Sequence, residues 1–126
     1  MPTTVKDLMT AANAVVPKIS IDEARKLISG DNAVVVDVRD PTEVQASGKI
    51  KGAINISRGM LEFRADAETP YYNAELRKDR PIILYCASGG RSALSGRALK
   101  EMGYEKVFNL GAFKDWAESG AETEKA

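Results

Sequence analysis

The stretch YCASGGRSALSG, residues 85–96, contains the only cysteine of the chain. Ahead of it, PIILYC (81–86) is a short apolar run that reads as a buried strand. Behind it, RSALSGRALKEMG (91–103) reads as a helix with Gly103 as its C-terminal stop. Cys86 is therefore predicted to end a strand, and residues 87–90 to form a tight loop into a helix. In open α/β sheets, ligands gather at the carboxyl ends of strands, beside helix N-termini. Gly89 and Gly90 tolerate unusual φ/ψ, so the N–H groups of Ala87, Ser88, Gly89 and Gly90 can turn inward as an anion nest. The helix N-terminus adds positive potential. A thiol held there is expected to have a lowered pKa and to react as the thiolate. Taken alone, Cys86 would read as an inert buried thiol; at the head of this loop it reads as a nucleophile. Arg91 opposes the helix macrodipole, which argues for a functional reason, contact with an anion. Ser92 is expected to cap the helix and to offer its hydroxyl to the site.

Working outward, strands and helices alternate. Residues 5–16 have apolar positions at helical spacing, ended by Pro17. SIDEARKLI (20–28) opens a second helix, with Ser20 and Glu23 at capping-box spacing. AVVVDV (33–38) is a continuous β-branched run, the pattern of a strand covered on both faces. PTEVQASG (41–48) is a short helix with Pro41 early in it, and GAINIS (52–57) a short strand. A helix is expected over 60–64, then a loop through Pro70. KVFNL (106–110) is the fourth strand, and GAFKDWAESG (111–120) the last helix. This order implies an α/β fold, a central parallel sheet flanked by helices on both faces. The expected organisation is an N-terminal helix packed on the domain (1–18), one domain (19–120) and a frayed tail, AETEKA (121–126).

Composition excludes several chemistries. The chain has 126 residues, the size of one domain. Lys+Arg and Asp+Glu are 18 each, and this zero net charge argues against a nucleic-acid partner. There is no histidine, which removes Ser-His-Asp and Cys-His catalysis and His-based metal sites. One cysteine builds neither an internal disulfide nor a thiolate cluster, so no metal and no cofactor is expected, and a reducing compartment is the simpler reading. No signal-peptide shape and no run near the ~20 apolar residues of a membrane span is present. These features point to a cytoplasmic protein with no membrane partner.

Three motifs in order resemble the rhodanese (sulfurtransferase) family. They are Cys86, four residues, Arg91 and Ser92 at a strand–helix junction; VVVDVRDPTEVQASGKIKGAINIS (34–57); and NLGAFKDW (109–116). Together they span about Ile19 to Trp116. The resemblance implies a single rhodanese-like domain and a two-step displacement. Cys86 thiolate takes the outer sulfur of a donor such as thiosulfate, and the resulting persulfide passes it to cyanide, a small thiol or a protein acceptor. Ala87, Ser88, Gly89 and Gly90 would surround the persulfide, and Arg91, with Arg58 as a second anion contact, would hold the donor. Asp37, Arg39 and Glu43 read more simply as structural support of the site: Asp37 accepts hydrogen bonds near a strand end, and Arg39 pairs with Glu43 across one helical turn.

The chain departs from the family in two places. Many family loops carry Arg directly after the Cys; here Ala87 stands there, which weakens the case for tight thiosulfate binding. The usual Gly-His-Ile is Gly48-Lys49-Ile50. Lys49 and Lys51 read as solvated, and Trp116 as core. Two other readings stay open. Cys-dependent phosphatases use a similar loop, but with five residues between Cys and Arg. Rhodanese-like domains also serve as binding modules, or as sulfur carriers to one partner with little activity on small substrates. FRADAETPYYNAEL (63–76) is a candidate for the pocket mouth.

Overall fold

The central strands alternate their side chains between two separate cores. The structure, a computed structural model, describes residues 2–126. Strands β1 (Val34–Asp37), β3 (Ile54–Asn55), β4 (Ile82–Cys86) and β5 (Val107–Ala112) form one sheet in the order β3-β1-β4-β5, every pairing parallel. Val34, Val36, Ile82, Leu84, Cys86 and Val107 point to one face, with Val16, Leu61 and Leu99 packed over them. Val35, Ile83 and Tyr85 point to the other, against Ala24, Phe113 and Trp116. Helices α1 (Val5–Val15), α4 (Leu61–Ala65) and α5 (Gly90–Glu101) thus cover the first face, and α2 (Ile21–Gly30) and α6 (Phe113–Glu118) the second. Burial on both faces is why β1 and β4 read as unbroken apolar runs.

Two helices start as the sequence dictates. Ser20 accepts the Glu23 N–H, and Glu23 accepts the Ser20 N–H, a reciprocal box opening α2. α3 (Pro41–Ser47) has Pro at its first turn. α1 ends before Pro17 and lies against α5 where Gly96 allows close approach: a Cβ there would sit 2.7 Å and 2.9 Å from the Val16 methyl groups. Residues 17–19 then run along the open edge of β5. The Asn109 N–H donates to the Pro17 carbonyl (2.9 Å), and the Ile19 N–H to the Asn109 carbonyl (3.1 Å).

Three local expectations are corrected. Within the tail expected to fray, β6 (Thr123–Glu124) pairs antiparallel with β2 (Lys49–Ile50). Glu124 accepts the Gly52 N–H at 2.8 Å and pairs with Lys49 at 3.3 Å. Lys49 is accordingly half-buried against the tail, whereas Lys51 is exposed as expected and meets the equally exposed Glu122 at 3.2 Å. Finally, β5 continues past Leu110 through Ala112. The register slips between Leu84 and Tyr85, so that Gly111, at φ +100°, follows a bulge before α6 begins.

Candidate active site

Cys86 is the last residue of β4, and α5 begins four residues later. Gly89 is the N-cap of α5, at φ +98°, a left-handed conformation suited to glycine. Its missing side chain also matters for packing, because a Cβ would touch Gly111 Cα at 3.4 Å. This turn folds the Gly89 N–H back onto the Cys86 sulfur at 3.0 Å. Burial pushes the Cys86 thiol up. The Ser92 hydroxyl and the N–H groups of Ser92, Ser88 and Gly89 outweigh it, and the net shift is downward. The residue is fully buried, with Ala87 and Ser88 exposed above it.

Ser92 does not cap α5 as expected. It lies in the third helical position, because the helix starts at Gly90 and its N-cap has no side chain. Its hydroxyl donates to Asn109 Oδ1 at 2.7 Å, and lies 3.1 Å from the Gly89 carbonyl and 3.5 Å from the Cys86 sulfur. The Asn109 and Gly89 oxygens compete for the one hydroxyl proton, while in the contact with Cys86 either atom can donate. Asn109 Nδ2 donates to the same Gly89 carbonyl at 3.3 Å. Asn109 is buried, and the motif NLGAFKDW alone does not mark its part in the site. The available signal was a polar side chain inside the apolar run KVFNL, since buried polar groups are held by partners.

The acidic and basic residues sort into two ion pairs that differ from expectation. Arg39 pairs with Asp37, not with Glu43: its Nη2 meets Asp37 Oδ2 at 2.6 Å and its Nε meets Oδ1 at 2.9 Å. Arg39 precedes the first residue of α3, so the one-turn spacing to Glu43 does not apply. Both groups are buried, and the guanidinium is further held by Ser47 Oγ (2.7 Å), the Gly48 carbonyl (2.8 Å) and the Phe113 ring (4.5 Å to its centroid). Asn55 Nδ2 ties the Asp37 and Arg39 carbonyls together at 3.0 Å and 2.9 Å. On β4, beside Cys86, the Tyr85 hydroxyl accepts the Ile50 N–H at 3.1 Å.

Glu43 instead takes Arg91. Nη1 donates to Oε2 at 2.7 Å and Nη2 to Oε1 at 2.9 Å, a two-point fork that joins α3 to the first turn of α5. Glu43 also accepts the Asp40 N–H at 3.0 Å. The Arg91 fork, followed by that N–H, holds the Glu43 carboxyl at about 2. Arg58 lies in a 3-10 turn (Arg58–Met60) after β3 and donates to Glu62 at 2.7 Å. Phe63 and Tyr71, in the segment proposed for the pocket mouth, are half-exposed and meet edge to face, 6.4 Å apart. Two concavities of about 590 and 600 Å³ do not include Cys86: this same segment lines the first, at Ala65, Tyr72 and Leu76 with Lys78 and Tyr104, and the second lies between Gly48 and the tail. Among the described residues no cluster of potential metal ligands is formed, and no helix is long and apolar enough to cross a membrane.

Comparison with known proteins follows the same lines. A sequence profile for the rhodanese-like domain matches residues 20–119. A sulfurtransferase of Allochromatium vinosum is 32% identical over 98 residues, covering 77% of this chain and 83% of that protein. The human thiosulfate:glutathione sulfurtransferase is 30% identical, covering 81% and 94%. Among solved structures, a Rhodopseudomonas palustris protein of unknown function, described as a possible tyrosine phosphatase, superposes with a TM-score of 0.87 at 35% identity, over 98% of this chain and 99% of that one.

Proposed function

Because the chain belongs to the rhodanese-like domain family, we propose that it is a sulfurtransferase working through a persulfide on Cys86. The observation that carries this reading is the lone thiol at the end of β4, its sulfur accepting the Gly89 N–H at 3.0 Å and its pKa lowered. In the first step the Cys86 thiolate attacks the outer sulfur of a donor such as thiosulfate. The donor's S–S bond breaks and sulfite departs with the electron pair, leaving the Cys86 persulfide. In the second step a nucleophile, cyanide or a thiol on a small molecule or protein, attacks the outer sulfur and regenerates the thiolate. No base is needed if the thiol is already ionised. The N–H groups of Ser88, Gly89 and Gly90 would hold the persulfide anion. The sulfur is covered in the resting conformation, so transfer requires a shift at the loop, where Gly89 and Gly90 give the backbone its freedom.

The test is intact-mass spectrometry after incubation with thiosulfate, beside Cys86→Ser, followed by a cyanide chase. The expected outcome is one added sulfur atom on the native protein alone, released as thiocyanate. No adduct on the folded protein with thiosulfate or with an alkyl persulfide would sink the reading. A phosphatase is the second reading, favoured by the description of the Rhodopseudomonas palustris neighbour. The four-residue spacing between Cys86 and Arg91 opposes it. Turnover of p-nitrophenyl phosphate, lost in Cys86→Ser, would revive it.

A further inference from the structure

Both arginines that the sequence offers to an anionic donor already have a carboxylate partner. Arg91 is forked to Glu43 at 2.7 Å and 2.9 Å, and Arg58 is bound to Glu62 at 2.7 Å. Between Cys86 and Ser92, Arg91 is the one charged residue, and the position after the cysteine is Ala87. The loop thus meets a donor with backbone N–H groups and a helix N-terminus but with a neutralised side-chain charge. A fork of this geometry leaves the Arg91 Nε–H without a role in it, yet any dianion reaching that edge also meets the field of Glu43.

From this arrangement we infer that Glu43 is a specificity-determining residue, which turns the site away from thiosulfate and toward a donor whose leaving group is a thiolate, a low-molecular-weight alkyl persulfide. The inference rests on the sulfurtransferase reading and refines it. Thiosulfate brings two negative charges and releases sulfite, so it needs unpaired cationic groups at the mouth. An alkyl persulfide brings one charge or none. The Cys86 thiolate attacks its outer sulfur, the S–S bond breaks, and the electron pair leaves on the alkyl thiolate. One S–S bond forms as one breaks, and no external oxidant or reductant enters.

Two measurements test this. The first uses the native protein: the KM for thiosulfate is read between about 20 mM and about 200 mM ionic strength, a range that spans strong to weak screening. A neutralised site predicts a KM that hardly moves. A KM that climbs about tenfold with salt would mean an exposed cationic site and would overturn the inference. The second compares Cys86 persulfide formation from thiosulfate and from cysteine persulfide in native protein, Glu43→Gln and Glu43→Asp. Glu43→Gln keeps an acceptor for the Asp40 N–H while freeing the Arg91 charge. Its thiosulfate KM is expected to fall about three- to tenfold and to become salt-dependent, so the preference for persulfide shrinks. Glu43→Asp, which keeps the charge, is expected to behave as the native protein. An unchanged donor ratio in a folded Glu43→Gln would overturn the inference while leaving sulfur transfer intact. Failure of the native protein to take sulfur from either donor would instead defeat the underlying reading.

Discussion

Removing the Ser92 hydroxyl separates its share of the Cys86 thiolate from that of the backbone. In Ser92→Ala the N–H groups of Ser88, Gly89 and residue 92 remain, so only the side-chain contribution is lost. The thiol pKa should rise, and the alkylation rate, which climbs with pH as thiolate forms, should reach its midpoint at higher pH than in the native protein. An unchanged iodoacetamide profile would assign the whole effect to backbone amides. Asn109 acts one step further out, through Ser92 and the Gly89 carbonyl. Asn109→Ala leaves those buried groups short of a partner and should cost roughly 1–3 kcal/mol in urea unfolding. At this scale the sequence was only half legible. The nucleophile stood out because a strand, two glycines and a helix frame it. The ion-pair partners did not, because Arg39 lies outside the helix that would set its spacing, and Glu43 meets Arg91 from 48 residues away.

At the scale of elements, the contact of α1 with α5 turns on one hydrogen atom. Gly96 sits in mid-helix, where alanine is intrinsically better by roughly 0.5–1 kcal/mol. Here the new methyl group would press on Val16 at 2.7 Å, and such overpacking costs about 1–3 kcal/mol. Gly96→Ala is therefore expected to destabilise the native protein but to stabilise a Val16→Ala background. The reversal of sign in a double-mutant denaturation series checks it, and a uniform loss would show that α1 yields freely. The long elements were readable because each repeats its pattern over several residues. β2 and β6 were not, being two residues each and defined only by pairing across more than 70 positions. Nor was the end of β5, where a bulge and a positive-φ glycine carry the strand beyond its apolar run.

Across the whole molecule, acidity acts on carboxylates held by backbone N–H groups, as at Asp7, Glu23 and Glu124, and on Glu43, which is held first by an arginine. Glu43 has its carboxyl lowered from 4.5 to about 2. Its contribution to stability is complete above 4.5, where the unfolded chain is also ionised, and fades as the pH falls from there to about 2. The pair is more than a third exposed, so solvent screening limits the effect to about 1 kcal/mol or less. Glu43→Gln should flatten that part of the stability–pH curve, measured by urea midpoints. The Asp37–Arg39 pair lies wholly inside. Asp37→Ala strands a buried guanidinium and should cost about 3–5 kcal/mol, read in the same assay; a loss below about 1 kcal/mol would mean that Ser47, Gly48 and Phe113 suffice to hold Arg39. The tail has a different consequence. The chain contains a single tryptophan, and the buried Trp116 indole donates its N–H to the Glu122 carbonyl at 2.9 Å, immediately before β6. Detachment of the last residues would therefore wet and unpair the only indole, so the protein carries a fluorophore whose emission should redden whenever its C-terminal strand lets go.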